Sequence, residues 1–495
     1  MTYNKDYQGC KPCKADSEFI KCNREQRRFK NILLECGEGA GSRTFTSGND
    51  IPFQLAQVTV KTDCCNKDRV LIKFSSIVRV DVIEEVATAR LQYELFRTCN
   101  DKEPISLGCW MYEKVDISDS DFQDVSEESF NFIFCDDFTC SDCCDYFVRV
   151  TPLEITNTTV TVSNGRIAAL NQCLKDYLAE IFKSKETIIE CARGNGTVIF
   201  RTENDPPVSI ADVTIDTSCL VRPKTLIEFS TIISYNEDTP PAESVSLQFE
   251  LFRRCDNREP LSLGVWIYDV GPITGNIQVA QGFGFNFCEY VNLSGCCEYF
   301  VILTPIEVPT DDGENAVVSN TRITAIAQSS KVSDKKHNVT DCKSKHSKFK
   351  ETLLECGSGN GSRTFISPDD SDFQLAQVMI DTIGLCKPLV NIEFSGIVSY
   401  LRPDFGPDAE MLLRLQLFRV CSDRSAELKG IWVLGRLGQD TIKVTEAFNF
   451  NFCETIKCEK GCWTYFVKVT PIQLDNGTIT VSNGRIAALV QEDRK

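Results

Sequence analysis

Apolar and polar residues alternate along most of the chain, and this two-residue period predicts β-strands, not helices. The alternating segments are rich in Val, Ile, Phe, Tyr and Thr, and turns with Gly, Asn, Asp or Pro separate them. Ile32–Cys36 and Ala87–Cys99 are two examples. About eight such segments in each third of the chain predict an all-β fold of antiparallel β-sandwiches, with a jelly roll as the leading topology.

The same segments return three times, so the chain is a tandem repeat. Leu33-Leu34-Glu35-Cys36 reappears as Leu353-Leu354-Glu355-Cys356, and the copies close on phrases such as Val481-Ser482-Asn483-Gly484-Arg485. The period is 155 to 166 residues, and the length of 495 residues also favours several domains. The chain therefore divides into an arm (1–30), copy 1 (31–172), a connector (173–186), copy 2 (187–328), a basic connector (329–350) and copy 3 (351–491).

The charge balance excludes some classes of function. With 53 Lys+Arg against 70 Asp+Glu, the chain lacks the basic excess that nucleic-acid binding requires. No stretch is long and apolar enough to predict a membrane span. The 26 cysteines indicate an oxidising destination, yet the first residues show no apolar signal-peptide region. Assembly inside a cell that later lyses, as at a bacterial spore surface, satisfies both observations.

Six cysteine positions recur in every copy. They are the connector cysteines Cys22, Cys173 and Cys342; the first-strand cysteines Cys36, Cys191 and Cys356; the turn cysteines Cys64 or Cys65, Cys219 and Cys386; the cysteines after Leu-Phe-Arg, which are Cys99, Cys255 and Cys421; and two sets nine residues apart, Cys135 with Cys144, Cys288 with Cys297, and Cys453 with Cys462.

The sets nine residues apart are expected to flank a hairpin and to form disulfides across it. Facing residues in an antiparallel ladder have Cα atoms about 4.5–5.5 Å apart, which a disulfide can bridge. Buried free thiols are the alternative for some of these cysteines. Zinc is a second alternative, because Cys10 and Cys13 form a C-x2-C pair and Cys140, Cys143 and Cys144 form a cluster. That cluster does not recur in the other copies, so we predict no metal and no cofactor.

The arm before copy 1 is laid out like the internal connectors. Cys22, Cys173 and Cys342 precede the first-strand cysteines by 14, 18 and 14 residues. Each internal connector links a copy to the one before it, so we expect the first arm to dock on copy 3 of another molecule. Such a heterologous head-to-tail contact propagates into a filament. The arm is basic and the protein acidic, which favours that encounter; a solvated, disordered tail is the alternative.

Catalysis is not expected. The only histidines, His337 and His346, lie in the second connector, so no copy contains the base that Ser-His or Cys-His chemistry needs. The glycine-rich run at Gly37 leads into another strand and not into the helix that a phosphate loop opens. Trp110, Trp266 and Trp432 alternate with apolar neighbours and are predicted to be core residues, with a sugar-binding platform as the weaker alternative.

Several phrases resemble an uncharacterised domain family common in spore-forming clostridia. They are Leu-Leu-Glu-Cys-Gly, Phe53-Gln54-Leu55-Ala56-Gln57-Val58, Cys143-Cys144-Asp145-Tyr146-Phe147-Val148 and Thr161-Val162-Ser163-Asn164-Gly165-Arg166. More distantly, a cysteine-bearing connector before a jelly roll is similar to the endospore appendage pilins of bacilli. That resemblance implies stacked subunits cross-linked by disulfides of the connector, a role that Cys10, Cys13 and Cys22 would have here. Those pilins have one domain, whereas this chain has three.

The sequence thus predicts a non-catalytic structural subunit of a spore-surface or extracellular filament, made in the mother cell. Its expected partners are other copies of itself, with other spore-surface proteins as a further class. A multidomain surface binding module of the lectin or adhesin type, without polymerisation, is the alternative function.

Overall fold

The computed structural model shows three jelly-roll copies that share their sheets. It describes residues 32–60, 68–83, 87–100, 102–116, 125–138, 143–173, 187–218, 220, 223–237, 243–256, 258–273, 277–291, 295–308, 315–329, 352–382, 385, 387–402, 409–421, 425–438, 442–456 and 461–492.

All regular elements in these ranges are β-strands. Copy 1 contains β1 (Ile32–Cys36), β2 (Glu38–Gly39), β3 (Arg43–Phe45), β4 (Phe53–Val60), β5 (Asp68–Val82), β6 (Ala87–Cys99), β7 (Ile105–Asp116), β8 (Val125–Phe138), β9 (Cys144–Thr156) and β10 (Thr158–Cys173). Copy 2 contains β11 (Thr187–Arg193), β12 (Val198–Phe200), β13 (Val208–Asp216), β14 (Pro223–Glu237), β15 (Glu243–Cys255), β16 (Leu261–Ile273), β17 (Ile277–Tyr290), β18 (Cys296–Glu307) and β19 (Asn315–Ser329). Copy 3 contains β20 (Thr352–Cys356), β21 (Ser358–Gly359), β22 (Arg363–Phe365), β23 (Phe373–Asp381), β24 (Pro388–Arg402), β25 (Ala409–Cys421), β26 (Glu427–Gly438), β27 (Ile442–Thr455), β28 (Cys462–Leu474) and β29 (Thr478–Glu492).

The residues of these strands alternate between buried and more exposed positions, as the two-residue period of the sequence predicts. In β6, Ala89, Leu91, Tyr93 and Leu95 are buried, and the residues between them are partly exposed. Successive side chains of a strand point to opposite faces, so one face of β6 packs into the core of its copy. The all-β prediction is confirmed.

Each copy is a sandwich of two half-sheets. In copy 1 the inner half-sheet has the order β1-β10-β5-β8, and the outer half-sheet has the order β4-β9-β6-β7. The chain crosses between the half-sheets at most connections, which gives the jelly-roll order. One hydrophobic core, with Val58, Phe74, Leu91 and Val160 among its members, fills the space between them.

The half-sheets of neighbouring copies join edge to edge. The inner half of copy 1 continues into the outer half of copy 2 where β8 pairs with β16. In the same way β17 pairs with β26, and β27 pairs with β7. The last pairing joins copy 3 back to copy 1, so the three copies form a closed ring with the cyclic arrangement of a trimer.

Each hydrophobic core is completed by the neighbouring copy. Ile77 of copy 1 is buried in the core of copy 2, Ile232 of copy 2 in the core of copy 3, and Ile397 of copy 3 in the core of copy 1. A fourth cluster lies on the ring axis and takes side chains from all three copies, including Leu34, Ile189 and Leu354. The copies therefore bury apolar surface together and do not pack as independent domains. No helix in the described ranges is long and apolar enough to cross a membrane.

Candidate functional site

Two disulfides in the described part of the chain join different copies. Cys135 in β8 of copy 1 forms a disulfide with Cys356 in β20 of copy 3, with Cα atoms 6.0 Å apart. Cys191 in β11 of copy 2 forms a disulfide with Cys453 in β27 of copy 3, with Cα atoms 6.2 Å apart. Both bonds join the first strand of one copy to the inner edge strand of its neighbour. They fasten the ring covalently.

A second kind of disulfide lies within a copy. Cys99 is bonded to Cys144, and Cys255 to Cys297, with Cα separations of 4.2 and 4.1 Å. In each case the two residues face each other in adjacent antiparallel strands of the outer half-sheet, β6 with β9 and β15 with β18.

These pairings correct the hairpin disulfides that the nine-residue spacing suggested. Cys135 lies on β8 in the inner half-sheet and Cys144 on β9 in the outer half-sheet, so the chain between them crosses the sandwich and forms no hairpin ladder. The same crossing separates Cys288 from Cys297 and Cys453 from Cys462. The recurring spacing reflects the length of the crossing loop and not a cross-strand pair.

Copy 3 departs from the other two at this point. The register places Trp463 opposite Cys421, where Cys144 and Cys297 stand in copies 1 and 2. Cys462 is therefore one position out of step with Cys144, although it too is disulfide-bonded. An equal spacing from Cys453 had made the two positions look equivalent.

Among the remaining cysteines, Cys36 and Cys288 are partly buried and Cys421 is buried. The other predicted cysteines divide into two groups. The side chains or positions of some lie outside the described residues: Cys10, Cys13, Cys22, Cys64, Cys65, Cys140, Cys173, Cys219, Cys342 and Cys386. Cys109, Cys143 and Cys296 are described and are exposed thiols. Burial, followed by the nearby Glu94, raises the pKa of Cys109, and burial with nearby Asp216 raises the pKa of Cys296, so both are weak nucleophiles near neutral pH.

The ring axis carries a buried group of charges that the sequence analysis missed. Lys73, Glu228 and Glu393 occupy equivalent positions on β5, β14 and β24. The Lys73 ammonium donates to Glu228 and, at 2.7 Å, to Glu393 Oε1, and all three side chains are at most 3% exposed. In the sequence, the one sign of this group is a charged residue at the equivalent position of three otherwise apolar strands.

Burial and the attraction between opposite charges act against each other in this group. Burial opposes the charge of Lys73, but the two carboxylates outweigh it and raise the pKa of Lys73. Burial, reinforced by Glu228 against the opposing effect of Lys73, raises the pKa of Glu393 to about 7. One cation thus serves two carboxylates, and Glu393 keeps a proton at a higher pH than an ordinary glutamate does.

The repeated closing phrase also makes contacts between copies. Arg166 of copy 1 lies over the Phe287 ring of copy 2, with the guanidinium carbon 5.3 Å from the ring centroid. Arg322 and Arg485 make the same contact with Phe452 and Phe134 of the next copies, at 5.9 and 5.0 Å. A cation over an aromatic face is favourable.

A polar triad recurs at one end of each copy and explains the Leu-Phe-Arg phrase. In copy 1 the Tyr146 hydroxyl donates to Asp136 at 2.9 Å, and Arg97 donates to the same carboxylate at 2.6 Å. Arg253, Glu289 and Tyr299 repeat the triad in copy 2, and Arg419, Glu454 and Tyr465 repeat it in copy 3. The carboxylate lies on the inner half-sheet and its partners on the outer one, so the triad ties the two together.

The predicted core tryptophans are confirmed. Trp110, Trp266 and Trp432 are 3, 4 and 3% exposed, and each stacks on a phenylalanine of its own copy with ring centroids 3.8 Å apart. Their faces are covered, so none of them provides a sugar-binding platform.

Comparison with known proteins gives one family. A family model described as "Domain of unknown function (DUF4489)" matches residues 30–172, 185–328 and 350–491. No curated protein matches the chain. Among solved structures, the N-terminal CBM22-1-CBM22-2 tandem domain from Paenibacillus barcinonensis Xyn10C is similar at 9% sequence identity, over 63% of this chain and 95% of that chain, with a TM-score of 0.16. That TM-score carries no inference about this protein.

Proposed function

We propose that this chain, which belongs to the DUF4489 family and carries its domain in three copies, is a non-catalytic structural protein of a spore surface or another extracellular layer. The observation that supports this role is the disulfide-bonded ring. The inter-copy bonds Cys135–Cys356 and Cys191–Cys453 cross-link residues 221 and 262 positions apart in sequence. Cross-links over such long loops strongly restrict the unfolded chain, and they persist only in an oxidising place.

The placement of charged and reactive groups favours a structural over an enzymatic role. The buried Lys73–Glu228–Glu393 group lies on the ring axis between the copies, and the recurring arginines pair with carboxylates or cover aromatic rings. These groups hold half-sheets and copies together. The sequence also leaves every copy without a histidine.

The closed ring changes how a filament would form. Copy 3 already pairs with copy 1 through β27 and β7, so a further molecule cannot add to copy 3 by the contact that joins the copies. We propose that polymerisation joins whole rings, with Cys10, Cys13 and Cys22 of one arm forming disulfides with exposed thiols of another molecule. Cys109, Cys143 and Cys296 are the exposed thiols in the described part of the chain.

The proposal is tested on the full-length protein, oxidised or fully reduced, by electron microscopy, non-reducing gels and thermal unfolding. We expect oxidised protein to form linked assemblies and a ladder of bands, and reduction to abolish the ladder and lower the unfolding temperature. The variant Cys10→Ser/Cys13→Ser/Cys22→Ser is the matched control. It should lose the ladder and keep the unfolding temperature of the oxidised ring.

The two parts of the proposal fail separately. Oxidised protein that stays monomeric and gives no ladder contradicts polymerisation through the arm. If reduction leaves the unfolding temperature unchanged, the proposal that disulfides stabilise the ring is wrong.

A further inference from the structure

The two inter-copy disulfides follow one cyclic rule. Each joins the cysteine of a copy's first strand, Cys356 or Cys191, to the cysteine of a neighbour's inner edge strand, Cys135 or Cys453. The register places Cys36 opposite Ala168, as Cys356 is opposite Ala487. It places Cys288 opposite Leu226, as Cys135 is opposite Leu71. Cys36 and Cys288 are therefore the third pair under the same rule.

The thiols of this third pair are in contact. Cys36 and Cys288 both pack against the axial cluster to which Cys135 and Cys191 also belong, and both are partly buried free thiols. Burial, together with a hydrogen bond between the two thiols, raises the pKa of Cys288 well above its usual range. Cys297, the partner that the sequence spacing suggested for Cys288, is already bonded to Cys255.

The interface around this pair matches the interfaces that are already bonded. Lys224 of copy 2 forms an ion pair with Glu35 of copy 1 at 2.5 Å, next to Cys36. Arg69 of copy 1 makes the equivalent contact with Glu355 of copy 3 at 2.8 Å, next to the bonded Cys356. The Arg166 contact with Phe287 lies one residue from Cys288, and the Arg485 contact with Phe134 lies one residue from the bonded Cys135.

We propose that Cys36 and Cys288 form a third inter-copy disulfide, which closes the three copies into a continuous covalent ring. The bond forms by thiol–disulfide exchange with a low-molecular-weight disulfide such as oxidised glutathione. One protein thiolate attacks that disulfide and releases one small thiol; the second protein thiolate then displaces the other. The two protein thiols lose two protons and two electrons, and the small disulfide is reduced to two thiols.

The raised pKa of Cys288 slows the formation of this bond near neutral pH. Exchange requires a thiolate, and burial keeps Cys288 protonated near neutral pH. Mildly alkaline pH should therefore speed its closure.

The proposed Cys36–Cys288 disulfide also anchors the strand that follows the arm to copy 2. Cys36 ends β1, the five-residue edge strand that directly follows the arm. A disulfide from Cys36 to β17 passes any pull on the arm to copy 2 at the end of β1, so that the pull does not reach the strands of copy 1 that follow β1. This consequence rests on the proposed structural function, in which the arm is cross-linked to other molecules.

The test is peptide mapping of the full-length protein after incubation with oxidised glutathione at pH 8.5. Remaining thiols are blocked with N-ethylmaleimide, and the unreduced digest is analysed by mass spectrometry. We expect one peptide pair linked through Cys36 and Cys288, and maleimide labelling at those positions that falls to background as the linked pair appears. Cys109, an exposed thiol far from this pair in the register, should appear with maleimide, as a mixed disulfide with glutathione or linked to another molecule, and never linked to Cys36 or Cys288. It serves as the internal control.

Two variants separate the bond from general effects of cysteine loss. Cys36→Ser/Cys288→Ser should unfold at a lower temperature than the oxidised protein, and glutathione should no longer raise that temperature. Cys109→Ser should behave like the unmodified protein in both respects.

Each outcome decides the proposal. Maleimide on Cys36 and Cys288, with Cys135–Cys356 and Cys191–Cys453 intact, overturns the third disulfide and leaves the proposed function standing. Cys36 or Cys288 linked to any other cysteine also overturns it. Loss of all three inter-copy links contradicts the proposed function as well.

Discussion

At the scale of single residues, the three copies differ where identical residues would be unfavourable. The equivalent axial positions hold Lys73, Glu228 and Glu393, which are buried together. A trimer of identical chains would place three like charges at this point, at a high cost in desolvation and repulsion. Fusing the copies in one chain allows each position to vary, so a cation can lie between two carboxylates. The remaining imbalance is one negative charge when both carboxylates are ionised.

That imbalance predicts a pH-dependent stability. The pKa of Glu393 is about 7 in the folded protein, above its ordinary value of 4.5, so the folded state holds a proton that the unfolded state has lost. This residue's contribution to stability is therefore fully present below pH 4.5 and is lost as the pH rises towards 7. Glu393→Gln removes the effect. We expect the variant and the unmodified protein to be equally stable near pH 4.5, with the variant more stable by about 1–3 kcal/mol at pH 8.

Chemical denaturation at a series of pH values measures this difference. Glu203→Gln, which changes an exposed carboxylate, is the matched control and should give no pH-dependent difference. A variant that is less stable than the unmodified protein at pH 8 would show that Lys73 needs both carboxylates.

Each copy inserts an isoleucine into the core of its neighbour. We expect these isoleucines to contribute as much to the free energy of unfolding as ordinary core residues do. Ile232 is 4% exposed and packs in the core of copy 3, although it belongs to copy 2. Ile232→Ala leaves a cavity there, and we expect a loss of about 2–5 kcal/mol in the free energy of unfolding. Ile199→Ala, at a residue 50% exposed, should cost far less. A small effect at Ile232 would mean that the copies are not packed as described.

At the scale of elements, a bulge in the last long strand of each copy directs the arginine that reaches the neighbour. The pairing of β29 with β24 shifts register between Ser482 and Arg485, and β10 and β19 have the same shift. Asn483 within this bulge has φ of 51°, and its side-chain amide donates to the Cys109 carbonyl of copy 1 at 3.2 Å. Asparagine tolerates this left-handed conformation better than most residues do.

Substitutions at Asn483 should therefore separate backbone from side-chain effects. Asn483→Ala places a Cβ-bearing residue with no compensating hydrogen bond at positive φ, and we expect a loss of about 1–2 kcal/mol. Asn483→Gly keeps the backbone conformation accessible and should cost less. Denaturant unfolding of both variants makes the comparison. Equal losses would assign the effect to the side chain alone.

At the scale of the whole molecule, sharing of sheets and cores makes the ring one cooperative unit. Every sheet contains strands of two copies, and every core contains a residue of a neighbour. One copy cannot unfold without exposing apolar surface of the next.

The oxidised protein should consequently unfold in a single calorimetric transition. We expect the calorimetric enthalpy to be close to the van't Hoff enthalpy, because separate domains would make the calorimetric value about threefold larger. Scanning calorimetry on the full chain measures both. Three resolved transitions would contradict the shared architecture.

The sequence by itself determined what depends on local pattern. The two-residue alternation of Ala87–Cys99 is the burial pattern of β6, because neighbouring side chains of a strand must point to opposite faces. Repetition of phrases identified three copies, and the apolar neighbours of Trp110 placed it correctly in the core. These features follow from each segment's own residues.

Only the tertiary structure decided which residues meet between copies. Cys135 and Cys144 are nine residues apart in sequence, but the chain crosses the sandwich between them, and the nearest cysteine to Cys135 comes from another copy. The same is true of Lys73 and its two glutamates. The spacing of residues fixes which face of a strand each one occupies. The strand that lies opposite that face depends on the closure of the whole ring, because the edge of each inner half-sheet is completed by another copy.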